Sequence, residues 1–191
     1  MSDPNRPSNP WARRSRRTVY DNPWIALHDD EVTRPDGAPG QYGVVHFHNA
    51  AVGVVPIDEA GNVLLVGQWR YTLERFSWEI PEGGVPAGES LLEGARRELA
   101  EETGYHAREW REILRFATSN SVTDEEGALF VATGLEAGEA RPDGSEQDLV
   151  SRWVSLDEAV AMIDRGEITD AMSQVALLRV ALERRTAPGS K

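Results

Sequence analysis

The chain has 191 residues, and its 20 Lys and Arg against 32 Asp and Glu give a formal net charge of −12. This balance argues against a nucleic-acid polymer as a partner, because phosphate backbones favour clustered basic side chains. The absence of cysteine excludes disulfides, thiolate zinc sites and cysteine nucleophiles, and no apolar run approaches the roughly 20 residues that span a bilayer.

The N-terminal region combines a polar tail with predicted short strands. Residues 1–11 are rich in Pro, Asn and Ser and are expected to be disordered. The basic residues that follow precede no apolar segment, so we expect no secretory signal, no membrane partner and a cytoplasmic location. Strands are predicted near 17–20, 24–34 and 41–47, with a Pro-Asp-Gly turn at 35–37.

Two apolar segments follow, at 51–57 and 62–67. They flank the sequence Asp58-Glu59-Ala60-Gly61, which combines polar residues with a glycine. Apolar segments around such a turn predict a β-hairpin.

Residues 83–105, GGVPAGESLLEGARRELAEETGY, predict a loop, a helix and a glycine stop. Ser90 followed by Glu93 fits a capping box at the helix start. Gly104 suits the left-handed position that ends helices. At about 100° per residue, an apolar stripe should face the core, with acids at its border. The stripe is formed by Leu92, Ala95 and Leu99, and the acids are Glu98, Glu101 and Glu102.

Three carboxylates crowded on one helix repel each other unless a cation lies between them. Glu98, Glu101 and Glu102 therefore indicate a divalent metal site, because Mg²⁺ prefers carboxylate and carbonyl oxygens. The alternative is a solvated acidic helix with ion pairs to Arg96 and Arg97.

The C-terminal half predicts further strands and then helices. We expect strands near 108–117, 127–133 and 150–154, an acidic Gly-rich loop at 136–148, and helices near 156–165 and 170–185. This order predicts an α+β sandwich with a mixed β-sheet between helical layers.

The spacing in residues 83–105 resembles the Nudix box at every fixed position: Gly83, Glu89, Arg97, Glu98, Glu101, Glu102 and Gly104. The resemblance implies the Nudix α/β/α sandwich and hydrolysis of a nucleoside diphosphate linked to another group, assisted by Mg²⁺ or Mn²⁺. By motif position, Glu98 and Glu102 are the first metal-ligand candidates, followed by Glu101 and the backbone carbonyl of Glu82. Glu101 is also a candidate catalytic residue. Gly83, Glu89, Arg97 and Gly104 are expected to be structural.

Other segments resemble the ADP-ribose and nucleoside-diphosphate-sugar pyrophosphatase branch of that family. Residues 12–47 look like its small N-terminal β-subdomain, which implies a homodimer, and the resemblance to the Nudix domain covers about 48–186. Gln68-Trp69-Arg70-Tyr71 and Trp78-Glu79-Ile80-Pro81-Glu82-Gly83 are similar to the two segments that precede the box in this branch. Arg70 is a candidate phosphate ligand or a surface ion pair. Trp24 and Trp78 are candidates for base or sugar stacking, or for the core or dimer interface.

Two further segments bear on substrate choice and catalysis. Typical ADP-ribose hydrolases carry a proline where this chain has Ser119 and Asn120, which predicts a broader nucleoside-diphosphate-sugar hydrolase; these residues determine specificity or only form a turn. The branch also implies a glutamate base in a loop before the last strand. Glu146 is the first candidate, and Asp148 or Glu139 are the alternatives.

The expected function is therefore metal-dependent hydrolysis of a nucleoside diphosphate sugar to a nucleoside monophosphate and a sugar phosphate. The alternatives are a nucleoside triphosphate clean-up pyrophosphatase and a non-catalytic Nudix module that binds nucleotide sugars. The three clustered acids favour an enzyme, because a pure binding module does not need them.

Overall fold

The structure is a computed structural model that describes residues 7–141 and 148–186. Two units are distinguished by their internal contacts. The first holds the described residues up to 48 together with 117–125, and the second holds 49–116 together with the described residues from 126 onward. The segment 117–125, which the sequence analysis had placed in the second domain, thus groups with the N-terminal strands.

The first unit is built on an antiparallel sheet in the order β1-β2-β3, formed by Ala12–Asp21, Ile25–Thr33 and Pro39–Phe47. The first strand is longer than the predicted 17–20. Its basic residues pair with acids directly opposite on β2, with Arg16 Nε 2.7 Å from Asp30 Oδ1 and Arg17 Nη2 2.8 Å from Asp29 Oδ2. The strand therefore includes the basic residues before position 17, and the acids of β2 supply the opposite charges.

The second unit contains two sheets and three helices. The mixed sheet has the order β7-β4-β9-β8, with β4 and β9 parallel; its strands in that order are Glu82–Val85, Ala50–Pro56, Glu126–Ala137 and Tyr105–Ala117. The antiparallel sheet has the order β10-β5-β6, formed by Val150–Ser155, Asn62–Arg70 and Arg75–Glu79. The helices are α1 (Leu91–Thr103), α2 (Leu156–Asp164) and α3 (Ala171–Thr186), and a short 3₁₀ turn covers Tyr71–Leu73.

The two faces of the mixed sheet carry separate cores. Val52 and Val54 of β4 face α1 and pack with its Ala95 and Leu99. Val55, on the opposite face, belongs to the core that includes residues of α2 and α3. This alternation follows from the period of two in a strand. The predicted α+β sandwich with a mixed sheet is confirmed.

The predicted hairpin of 51–57 with 62–67 is wrong. The turn at Asp58–Gly61 forms, but β4 and β5 belong to different sheets, and only Ile57, just after β4, forms a bridge with Val63 of β5. The reason is that β4 pairs with β7 on one edge and with β9 on the other, so neither edge is open to β5.

Most other predicted elements agree with the structure to within a few residues, and two were missed. The strands β6 and β7 were not predicted, since they are short and flank Pro81. Strand β9 extends to Ala137 and so includes the start of the predicted loop. Within 7–141 and 148–186, no helix is long and apolar enough to cross a bilayer.

Candidate active site

The helix α1 begins and ends as its sequence predicts. The Ser90 side chain accepts a hydrogen bond from Glu93 N, and the Glu93 carboxylate accepts one from Ser90 N at 3.0 Å, which completes the capping box. Gly104 ends the helix at φ +73°, a left-handed conformation that favours glycine. Ala95 and Leu99 are fully buried, so the helix is fixed on the sheet by its predicted apolar stripe. This fixed orientation determines where the acids lie.

Two of the three clustered acids of α1 are buried. Glu98 and Glu102 are each only 6% exposed, although acids are rarely buried without compensating partners. Glu101 is half-buried at the edge of the site. Glu102 Oε2 accepts a hydrogen bond from the backbone N–H of Glu82 at 3.1 Å, which joins α1 to β7. The carboxylates therefore line the junction between the helix and this short strand.

Arg97 connects the box loop to the helix acids through its guanidinium. Nη1 donates to Glu98 Oε1 at 2.7 Å and to Glu101 Oε2 at 3.1 Å. Nη2 donates to the Gly84 carbonyl at 2.8 Å and to Glu89 Oε2 at 3.0 Å. The hydrogen bond with Glu89 and the charge of Glu98 raise the pKa of Arg97, which keeps it cationic. Arg97 thus orients acids and contacts the loop at the same time.

Arg70 points its planar fork at two acids that precede the box. Its Nε and Nη2 hydrogen-bond to the Glu79 carboxylate, and Nη2 also donates to Glu82 Oε1 at 2.9 Å. Burial raises the pKa of the Glu82 carboxyl well above its ordinary value, and the charges of Asp170 and Glu79 add to the shift. Arg70 was predicted as a phosphate ligand or a surface ion pair. It forms an ion pair, but with two largely buried acids, and its role as a phosphate ligand stays a prediction.

Glu79 and Asp170 are site residues that the sequence analysis did not single out. Glu79 is 2% exposed, and Asp170 lies close enough for its charge to act on Glu82. The only signal for Glu79 was its place three residues before Glu82 in Trp-Glu-Ile-Pro-Glu. No local pattern marks Asp170, which is distant in sequence.

The predicted substrate residues occupy different units. Trp78 belongs to the second unit and is half-buried: its ring lies edge-on to Phe76 at 5.3 Å, and Arg152 lies 5.5 Å from its centroid. Trp24, in the first unit, is 69% exposed. Ser119 and Asn120, also in the first unit, are exposed, and the Ser119 carbonyl accepts hydrogen bonds from Val122 N and Thr123 N. That turn agrees with one of their two predicted roles, and the specificity role stays a prediction.

The candidate base residues lie in or beside the acidic loop. Glu146 falls outside the described residues. Asp148 and Glu139 are both exposed, and Glu139 lies 3.7 Å from Arg141 in an open ion pair. The choice of base therefore stays a prediction.

The donor set fits a hard divalent cation. In the described part of the chain, no three acidic or histidine side chains converge closely enough to hold an ion as they lie. Arg97 and Arg70 contact several of the acids, Glu98 and Glu82 among them. One buried carboxylate oxygen, Glu82 Oε2, has no hydrogen-bond partner. Buried carboxylates beside an unsatisfied oxygen are the ligand chemistry that Mg²⁺ and Mn²⁺ use.

Comparisons with known proteins identify the family of this chain. The NUDIX domain model matches residues 47–173, and the model of the nucleoside diphosphate sugar hydrolase N-terminal domain matches 11–45. An ADP-ribose pyrophosphatase of Mycobacterium tuberculosis is 34% identical over 87% of this chain and 81% of its own length. An ADP-ribose pyrophosphatase of Bacillus subtilis is 31% identical over 88% and 91%.

A solved structure of an ADP compounds hydrolase shares the fold, with a TM-score of 0.85 over 98% of this chain and 100% of that chain at 19% identity. The domain match covers both sheets of the second unit, α1 with its acids, and α2. The chain therefore belongs to the Nudix family and is a Nudix hydrolase.

Proposed function

We propose that the protein hydrolyses nucleoside diphosphate sugars, ADP-ribose among them, to a nucleoside monophosphate and a sugar phosphate, with Mg²⁺ or Mn²⁺ as the cofactor. The single observation that carries this proposal is the pair of buried acids on α1, Glu98 and Glu102, held at the junction with β7. The relatives named as ADP-ribose pyrophosphatases support the substrate class.

In the proposed mechanism the acids of α1 would bind the cation, and the hydrogen bonds of Arg97 would orient those acids. Glu98 and Glu102 would bind the ion, with Glu101 and the carbonyl of Glu82 as further ligands. When bound, the cation polarises a phosphoryl oxygen and lowers the pKa of a water molecule. Arg97 fixes Glu98 and Glu101 by the hydrogen bonds described above. Glu146, or Asp148 or Glu139 in its place, would accept the proton of the attacking water.

Substrate choice is proposed to depend on the 119–125 turn. Asn120 has a polar side chain and a less restricted backbone than the proline of ADP-ribose specialists. A less restrictive loop should discriminate less between distal sugars. We therefore expect ADP-ribose and at least one ADP- or GDP-hexose to be hydrolysed within about tenfold of each other, or under roughly 1.4 kcal/mol of transition-state preference.

A substrate panel with Mg²⁺ tests the proposal, with the released nucleoside monophosphate and sugar phosphate measured together. The panel contains ADP-ribose, ADP-glucose, GDP-mannose and the nucleoside triphosphates. Preference for triphosphates would support the clean-up alternative, and binding without turnover would support the non-catalytic module. A preference for ADP-ribose of about a hundredfold over every hexose conjugate, near 2.7 kcal/mol, would contradict the proposed specificity role of Asn120 but not the proposed hydrolysis.

We also propose that residues 12–47 mediate a homodimer in the cytoplasm. All ten residues of β1 are exposed, and Val19 and Tyr20 are 49% and 54% exposed. A three-stranded sheet that leaves such side chains in solvent offers an area for a second copy of the chain.

A further inference from the structure

The carboxylate of Glu82 is the least satisfied buried group that the structure describes. Across residues 7–141 and 148–186, its Oε2 is the one buried side-chain oxygen or nitrogen without a hydrogen-bond partner. The side chain is 10% exposed. An unpaired buried carboxylate oxygen carries a large desolvation cost, which a bound partner would offset.

The charges around Glu82 identify the kind of partner. Three acids act on it electrostatically, Glu79, Glu102 and Asp170, and Arg70 is the one cation among the charges that act on it most strongly. Arg70 uses Nε and Nη2 on Glu79 and reaches Glu82 only through Oε1. The negative charge is therefore only partly balanced, and the oxygen that Arg70 does not contact is the unsatisfied one. A cation meets both conditions, whereas an anion or an apolar group meets neither.

The position of Glu82 links it to the acids of α1. Its backbone N–H donates to Glu102 Oε2 at 3.1 Å, so strand β7 carries this residue directly beside the helix acids. Of the α1 acids, Glu102 is also one of the charges that act on the Glu82 carboxyl. Glu82 thus provides a side-chain oxygen near Glu102, one of the acids proposed above to bind the cation.

We propose that the side-chain carboxylate of Glu82, in addition to the box acids, is a ligand for a divalent cation, so that the cation site of this chain extends from α1 onto β7. The inference rests on the proposed function only in taking the α1 acids as a cation site. It assigns Oε2 to the ion and leaves Oε1 with Arg70.

Titration of Mn²⁺ into the metal-free full-length protein tests this inference without any turnover. Glu82→Gln keeps the shape of the side chain and removes its charge, and it should weaken Mn²⁺ binding by about tenfold or more. Glu59→Gln removes the same charge from an exposed turn of the same unit and should leave Mn²⁺ affinity within about twofold. Glu82→Gln with wild-type affinity would overturn the inference.

The outcome is separable from that of the proposed function. If Glu102→Gln weakens Mn²⁺ binding and Glu82→Gln does not, the cation site on α1 is supported and the role of Glu82 as a ligand is contradicted. If Glu82→Gln does not fold, anomalous scattering from Mn²⁺ in crystals of the wild-type protein decides the question. An ion at about 2.0–2.6 Å from Glu82 Oε2 is expected. Ions bound only to the helix acids would overturn the inference.

Discussion

The carboxyl group of Glu98 lies in the space into which any side chain at Gly83 would project. A Cβ added to Gly83 would lie 2.2 Å from Glu98 Cδ and 2.3 Å from Oε1, closer than non-bonded atoms approach. Glycine is therefore required at position 83 by the position of Glu98. An unusual backbone angle is not the reason, because Gly83 does not have a positive φ. This relationship joins the β7 end of the box to its helix.

Gly83→Ala is expected to displace Glu98 and to lower turnover by about 10²-fold, the range for losing one catalytic electrostatic contributor. Gly84→Ala is the matched control, because its Cβ would meet mainly the movable Asn49 side chain, at 3.0 Å from Nδ2. The control should stay within about threefold of wild type, under ~0.7 kcal/mol. Steady-state kinetics on folded protein measures both, and equal effects of the two variants would contradict the account.

Arg97→Ala is expected to reduce the free energy of unfolding by about 1–3 kcal/mol, since it removes hydrogen bonds to three acids and one carbonyl. Arg97→Lys keeps the positive charge but lacks the planar guanidinium. Its reduction in the free energy of unfolding should therefore be smaller than that of Arg97→Ala but greater than zero. Arg115→Ala, which removes an exposed pair with Glu112, should change the free energy of unfolding far less than Arg97→Ala does. Urea denaturation in the presence of a chelator measures the free energy of unfolding of all three variants. If Arg97→Ala lowers it no more than Arg115→Ala does, the result contradicts this expectation.

Acid is expected to weaken the ion pair between Arg16 and Asp30. The hydrogen bonds from Arg16 lower the pKa of Asp30 in the folded protein. A lowered folded-state pKa means that the stabilisation is present above the unfolded value of about 4 and is lost as the pH falls through the folded value. The difference in unfolding free energy between wild type and Asp30→Asn should therefore shrink from pH 7 to pH 3. A difference that does not change with pH would contradict this assignment.

The homodimer is expected to persist at micromolar concentration and to depend on the exposed side chains of β1. Light scattering should give twice the chain mass of 21.1 kDa. Val19→Glu places a charge on a residue that is 49% exposed in the single chain and should dissociate the dimer without unfolding it. A wild-type protein that scatters as a monomer at this concentration would rule the dimer out.

The helix α1 was predictable because its determinants are local. Ser90, Glu93 and Gly104 specify the two ends within the helix sequence itself, and Ala95 and Leu99 specify the buried face. Glu98 and Glu102 were predicted at the border of that face, and the structure buries both more deeply than a border position implies. Here local propensity and tertiary packing agree.

Strand pairing and the partners of Glu82 were not predictable, because they depend on residues far apart in the chain. Nothing near 51–67 tells a hairpin from two strands in different sheets, and the pairing of β4 with β9 joins segments about 75 residues apart. Asp170 acts on Glu82 only because α3 begins near β7 in the fold. Such contacts depend on topology, which a local pattern does not specify.

The buried acids of α1 are proposed to carry the cation-dependent hydrolysis of a nucleoside diphosphate sugar. The most direct measurement is the turnover of ADP-ribose with Mg²⁺ by wild type and Glu102→Gln, with AMP and ribose 5-phosphate measured together. We expect equal amounts of the two products, no turnover with a chelator, and a loss of turnover of about 10²-fold or more in a folded Glu102→Gln. Near-normal turnover by that variant, or cation-independent hydrolysis by wild type, would contradict it.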